Sequence, residues 1–120
     1  SELSIGFGPF VVAPAIERKI GKGAFSHLAI DATHWRNADW ARKKGLYAEL
    51  HPDIESMDES ISKLTANLAH SHPEAMKELK KICWEGTEDW DHLLAERAAI
   101  SGRLTLSSFS KNAIARFKAK

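Results

Sequence analysis

Little in this chain answers to a special environment. There is a single cysteine, Cys83, in 120 residues, which excludes an internal disulfide and makes a reducing, cytoplasmic setting the expectation. Neither sign of charge dominates: 17 Lys and Arg stand against 16 Asp and Glu, a net charge of +1, so electrostatics give no ground for a nucleic-acid partner. No apolar run is long enough to span a bilayer, and no stretch reads as a secretory signal. Proline and glycine are sparse, four and seven residues, and form neither a linker nor a repeat. The chain does not begin with Met, and Ser1 is expected to be either an imposed boundary or a cleavage product.

What is present is helical periodicity. Leu3 to Ile5 reads as the tail of a strand, closed by a turn at Gly6, Gly8 and Pro9. Val11, Val12, Ala15, Ile16 and Ile20 then recur at helical spacing. Pro14 is tolerated only in a first turn, which places the helix start near Ala13, and Gly21 is its expected C-cap. A second apolar helix carries Phe25, Leu28 and Ala29. Asn37 is the expected N-cap of a short helix, Ala38 to Lys44, that Gly45 ends. Leu46 to Leu50 suits a short strand or a connector.

Ser56-Met57-Asp58-Glu59 has the form of a capping box, opening a helix with Ile61, Leu64 and Leu68 on one face. Pro73 suits the first position of the next helix, whose apolar side is Met76, Leu79, Ile82 and Cys83. Trp90, Leu93, Leu94, Arg97 and Ala98 trace another helical face, with Thr87 available as its cap. A Ser-rich break follows near Leu104 to Phe109. A last basic helix holds Ile114 and Phe117 among Lys111, Arg116, Lys118 and Lys120. The four tryptophans, Trp35, Trp40, Trp84 and Trp90, predict substantial burial in a core or against a partner.

The order of these landmarks resembles the second half of an enoyl-CoA hydratase/isomerase, the crotonase family. That family has a Pro-Glu pair and a short strand, a Gly-Pro turn, a helix ending in Gly, then an Ala-x-x-Ala-x-x-x-Gly-Leu helix end. Here Ser1 stands for the proline and Glu2 matches the glutamate. Gly6 and Pro9 match the turn, Gly21 the helix end, and Ala38, Ala41, Gly45 and Leu46 the later helix. Ser71-His72-Pro73-Glu74-Ala75 is similar to the family's Asn-Pro-Glu-Ala helix start.

The resemblance implies a mainly α chain: the C-terminal helical region of the crotonase-like α/β fold, with only a short strand remnant at its N-terminus. Residues 1–21 would end the α/β core and carry the active-site glutamate. Residues 22–120 would form the helical region that covers the site and builds the oligomer, a trimer or hexamer in the parent. The parent would add water to a 2-enoyl-CoA thioester, with coenzyme A as part of the substrate and no separate cofactor. A double-bond isomerase or an acyl-CoA hydrolase of the same family shares the pattern.

Hydration needs one group to activate water and another to protonate Cα. The resemblance makes Glu2 the acid, which requires a raised pKa; the alternative is an exposed carboxylate at a chain end. Phe10 falls where the family has Gly. Phe7 and Phe10 then line an acyl pocket or belong to the core, and Lys118 lies nearest to a lysine that reaches a neighbouring subunit's CoA phosphates. The other glutamate and the oxyanion donors, each worth about 3 to 4 kcal/mol, belong to the upstream half in this family, so the chain alone is expected to be inactive. A reading of a different class is a helical interaction module without chemistry.

Other features carry less. His70-x-His72 lacks further ligands for a metal. His27 and His34 read as isolated surface or capping residues. Cys83, on an apolar face, reads as buried and inert. Gly6-x-Gly8 lacks the third glycine and the context of a dinucleotide fingerprint.

Overall fold

The computed structural model describes residues 1–118, so Lys120 lies outside the described residues. They form a short 3-10 helix, Glu2–Ile5, and six α-helices: α1 Ala13–Ile30, α2 Ala38–Lys43, α3 Ile54–Ala69, α4 Pro73–Trp84, α5 Trp90–Thr105 and α6 Ser108–Lys118. No strand occurs among them. The chain divides into two compact units, one of Ser1–Ala48 with Asp91–Lys120 and the other of Glu49–Trp90.

The expected strand remnant is therefore a correction. A strand's N–H and C=O groups need a neighbouring strand, and the described residues contain none. A single turn satisfies them locally instead. Ser4 N–H donates to the Ser1 carbonyl at 3.1 Å and Gly6 N–H to Leu3 at 3.3 Å. The Ser4 hydroxyl also donates to the Ser1 carbonyl, at 2.6 Å. Leu46 to Leu50 is likewise a connector.

In the first unit, α1 and α6 both pack on the 3-10 helix. Gly6 closes that helix with φ +98°, and its bare Cα faces Ser110 and Phe109 of α6. Ser110 is fully buried. Its hydroxyl donates to the Leu104 carbonyl at 3.0 Å, and its N–H donates to the Ser107 hydroxyl at 3.2 Å. The Ser-rich break is thus a helix cap whose last serine, Ser110, is sealed under the N-terminal turn.

Helix α1 begins at Ala13 with Pro14 in its first turn, where the missing N–H costs nothing. Gly21 interrupts it with φ +77° and ψ 158°, a region that is essentially glycine's alone. The segment is two helices meeting at a kink, as the glycine suggested. Nothing lies within 4 Å of the position a Cβ would take at Gly21 or at Gly23, so the two differ by backbone alone. Gly21→Ala is expected to lose about 1 to 3 kcal/mol, and Gly23→Ala, in regular helix, to gain about 0.4 to 1 kcal/mol. Urea denaturation midpoints for the pair would read that opposite sign directly.

In the second unit, α3 starts earlier than a cap at Ser56 predicts. Asp53 is the cap and accepts from Ser56 N–H at 2.8 Å; the neighbouring Ser56 hydroxyl and this N–H together hold the Asp53 carboxyl below its ordinary range. Pro73 opens α4, with His72 Nδ1 accepting from Ala75 N–H at 3.3 Å. No residue of α3 or α4 is buried, and the two helices do not pack on each other.

Burial is the largest departure from expectation. Among the described residues, the only buried apolar side chains are Ala13 and Ala41. Trp35 is 88% exposed, Trp84 is also exposed, and Cys83 is exposed rather than buried. The accessible surface is 9352 Å². Two separate compact bodies of these sizes would together expose about 7,700 Å². The chain leaves roughly 1,600 Å² more in water than compact bodies would.

Candidate functional site

The first unit holds a cavity of about 350 Å³. Its apolar wall comes from α1, through Ile16, Phe25 and Leu28, and from Trp40, Leu46 and Tyr47. Glu2 and Ser1 supply polar atoms on one side, His34, Arg36 and Asn37 on another. The local sequence explains why these meet. The 3-10 turn brings Glu2 back over the start of α1, and Asn37 caps α2 by accepting from Trp40 N–H at 2.9 Å. Gly45, at φ +80°, ends that helix as expected. The Ala-x-x-Ala-x-x-x-Gly-Leu stretch thereby presents Ala38, Trp40, Ala41 and Leu46 to the same space.

Glu2 is half-buried. Its own backbone N–H holds its carboxyl below the usual range; partial burial opposes this, and the N-terminal ammonium of Ser1, 3.1 Å away, adds to it. At neutral pH this group is a carboxylate on the wall of a cavity that is apolar along α1.

A second polar cluster lies across the end of α1. The Asp31 carboxylate accepts from Arg36 Nη2 at 2.7 Å, and His34 Nδ1 stands 3.3 Å from the same oxygen. Arg36 Nη2 is also 2.7 Å from His27 Nε2. The guanidinium sits 5.9 Å from the centre of the Trp40 ring, within range of a cation–π contact. Its side chain is 16% exposed, and its Nε is covered without a hydrogen-bond partner. His27 and His34 are thus not isolated: Asp31 gathers both. The spacing signal was present, since His27 of α1 and Asp31, its C-cap, are four apart, but Arg36 reaches back from beyond the helix end.

Asp31→Asn removes the charge that balances Arg36. Since the carboxylate is 40% exposed, solvent screening brings the expected loss down to about 1 kcal/mol, below the usual range for a hydrogen bond to a charged group. Chemical denaturation of the variant against the parent chain would measure it.

The remaining sequence-predicted residues do not join Glu2. Phe7 and Phe10 are half-buried but line no part of this cavity. The Phe10 ring lies over the Cα of Gly8, where a Cβ would come within 2.7 Å of it. Lys118 is exposed at the end of α6. Among the described residues no group of three His, Cys, Asp or Glu is placed to hold a metal ion, and no helix is long and apolar enough to cross a membrane. No protein-family model matches the chain, and no curated protein or solved structure matches it significantly.

Proposed function

We propose that the chain is the C-terminal part of an enoyl-CoA hydratase/isomerase-family protein whose parent hydrates a 2-enoyl-CoA thioester. The observation that carries this reading is Glu2, a carboxylate on the wall of a cavity of about 350 Å³ whose α1 side is apolar. A proton-transfer group must meet an acyl chain that excludes water. Two further facts support it. Gly6, Gly21 and Gly45, the glycines on which the resemblance rests, all have positive φ, so each occupies a position that glycine alone fills without strain. The exposed apolar residues of α3 and α4, among them Ile54, Leu64, Leu79 and Ile82, also suit a segment that packs against the rest of a larger fold.

In this reading Glu2 delivers the proton to Cα. The upstream half supplies the second carboxylate and the oxyanion donors, and Lys118 of one subunit approaches the CoA phosphates of another in a trimer or hexamer. Phe7 and Phe10 contribute to substrate binding only if the acyl chain extends past the cavity described above. An isomerase or acyl-CoA hydrolase of the family would use the same carboxylate.

The deciding experiment compares crotonyl-CoA hydration by the longer parent and by the 120-residue chain. The reading expects turnover in the parent and none in the chain. An inactive parent would transfer weight to the non-catalytic helical module, which the uncovered faces of α3 and α4 favour.

A further inference from the structure

Arg36 is a covered cation with few acceptors. A guanidinium carries five N–H donors and accepts nothing, and this side chain is 16% exposed. Both of its hydrogen bonds use Nη2, one to the Asp31 carboxylate and one to His27 Nε2, each at 2.7 Å. Nε is covered without a partner, and no acceptor among the described residues lies on Nη1. Because arginine only donates, His27 is the acceptor in its pair and brings no negative charge. Asp31 is therefore the anion that balances Arg36. The same Asp31 oxygen also serves His34 at 3.3 Å, and at 40% exposure it lies more in water than the cation does.

Arg36 lines the cavity of about 350 Å³ in the first unit, beside Asn37. The Asn37 side-chain oxygen is taken by Trp40 N–H, which leaves its amide N–H groups to donate. Four aromatic rings, those of Phe25, Trp35, Trp40 and Tyr47, line the same space.

We propose that this cavity binds a small aromatic monocarboxylate, its carboxylate on Arg36 Nη1 and the Asn37 amide and its ring among Phe25, Trp40 and Tyr47. The inference concerns the 120-residue chain and is read by binding alone, so it stands or falls apart from the hydratase reading.

Three features select that ligand. The first is charge. A carboxylate supplies acceptors to a desolvated guanidinium that is short of them, and hydrogen bonds between two charged groups are about twice as strong as neutral ones. Glu2, the acid on the other side of the cavity, is already met by the Ser1 ammonium at 3.1 Å, so its charge does not stand unbalanced against the ligand. The second is the wall. Aromatic side chains favour an aromatic body over an aliphatic one of equal area, and the Arg36 guanidinium already lies 5.9 Å from the Trp40 ring centre. The third is size. Small-molecule sites span about 300 to 1,000 Å³, and this cavity lies at the low end, which suits one ring with a short arm and excludes a dinucleotide.

Titration of the isotope-labelled chain with phenylpropionate, followed by NMR of the indole N–H signals, tests the proposal. The Trp35 and Trp40 signals should shift and saturate by about 10 mM, the weak end for a ligand of this size. Trp84 and Trp90, which do not line the cavity, should stay in place. Phenylpropionamide has the same shape without the charge and should bind about tenfold more weakly. Arg36→Gln should erase that preference. Asp31→Asn removes the competing anion and should tighten phenylpropionate binding about threefold, even though the variant is less stable; a merely damaged fold does not gain affinity. The comparison of acid with amide and the Asp31→Asn result decide the matter if Arg36→Gln does not fold. No saturable shift with the acid overturns the site. Equal affinities for acid and amide, a preference that survives Arg36→Gln, or weaker binding by Asp31→Asn overturns the role of Arg36. Shifts confined to Trp84 and Trp90 overturn the placement.

Discussion

Gly6→Ala should lower stability by about 3 kcal/mol, more than any other single methyl added to this chain. Two independent costs combine. Gly6 sits at φ +98°, where a Cβ costs roughly 1 to 2 kcal/mol. The new methyl would also be driven against the Ser110 hydroxyl and would lie 2.7 Å from Cδ1 of Phe109, and overpacking of this kind costs about 1 to 3 kcal/mol. Gly8 is the internal control. The nearest atoms a Cβ there would meet are those of the Phe10 ring, the movable end of a side chain, and its φ needs no glycine, so Gly8→Ala should cost distinctly less. Ser110→Ala separates the two costs of Gly6→Ala. Alone it forfeits the hydrogen bond to the Leu104 carbonyl, about 1 kcal/mol. In the double variant it also removes one of the two atoms in the way, so Gly6→Ala with Ser110→Ala should be more stable than the sum of the single losses. Thermal or urea unfolding of the four proteins closes that cycle. Full additivity would mean that the crowding is relieved elsewhere and that strain at Gly6 carries the whole effect.

Much of the helical layout was legible because its determinants are local. Pro14 fixes the start of α1, Asn37 caps α2, Gly45 ends it, and Pro73 opens α4; each acts within one turn of the residues it organises. The misreadings have non-local or competing causes. Leu3 to Ile5 alternates like a strand, but alternation cannot supply the neighbouring strand that a ladder requires. At α3 the capping box was outcompeted by Asp53, whose carboxylate takes the Ser56 N–H, while the Ser56 hydroxyl turns back to the Asp53 carbonyl at 3.1 Å.

The larger error concerned burial. Periodicity marks which face of α3 or α4 is apolar, and it is silent on whether anything covers that face. The tryptophans predict burial in a core or against a partner, and Trp35 and Trp84 are not covered by a core of this chain. The candidate site was half legible for a similar reason. Glu2 was marked by the landmarks around it. The cluster at Asp31 needed His27 from within a helix and Arg36 from beyond its end, a closure that exists only once the chain turns. Phe7 and Phe10 are near Glu2 in sequence, yet the turn at Gly8 folds the Phe10 ring onto its own backbone.

Glu2→Gln is expected to slow crotonyl-CoA hydration by the proposed parent about 100- to 10,000-fold in kcat, the usual contribution of a positioned proton-transfer group. In the 120-residue chain the same change should hardly move the unfolding midpoint at neutral pH, because the side chain is 40% exposed. Loss of catalysis without loss of stability is the pattern a merely structural carboxylate would not give. The pH dependence sharpens the comparison. In the chain, the Glu2 carboxyl is held below its ordinary range by its own backbone N–H and, after opposition from burial, by the Ser1 ammonium. A depressed folded pKa stabilises the fold above the unfolded value, and that contribution is lost as pH falls through the depressed one. Glu2→Gln should remove this acid-side loss. An acid that protonates Cα near neutral pH needs the opposite shift, which a second carboxylate beside Glu2 would produce. The parent's kcat profile should therefore show a basic limb that lies well above the Glu2 titration seen by NMR in the chain and that disappears in Glu2→Gln. If the two titrations coincide at the low value, Glu2 remains ionised during turnover and acts as a base or as an electrostatic stabiliser, and the proton for Cα comes from another group.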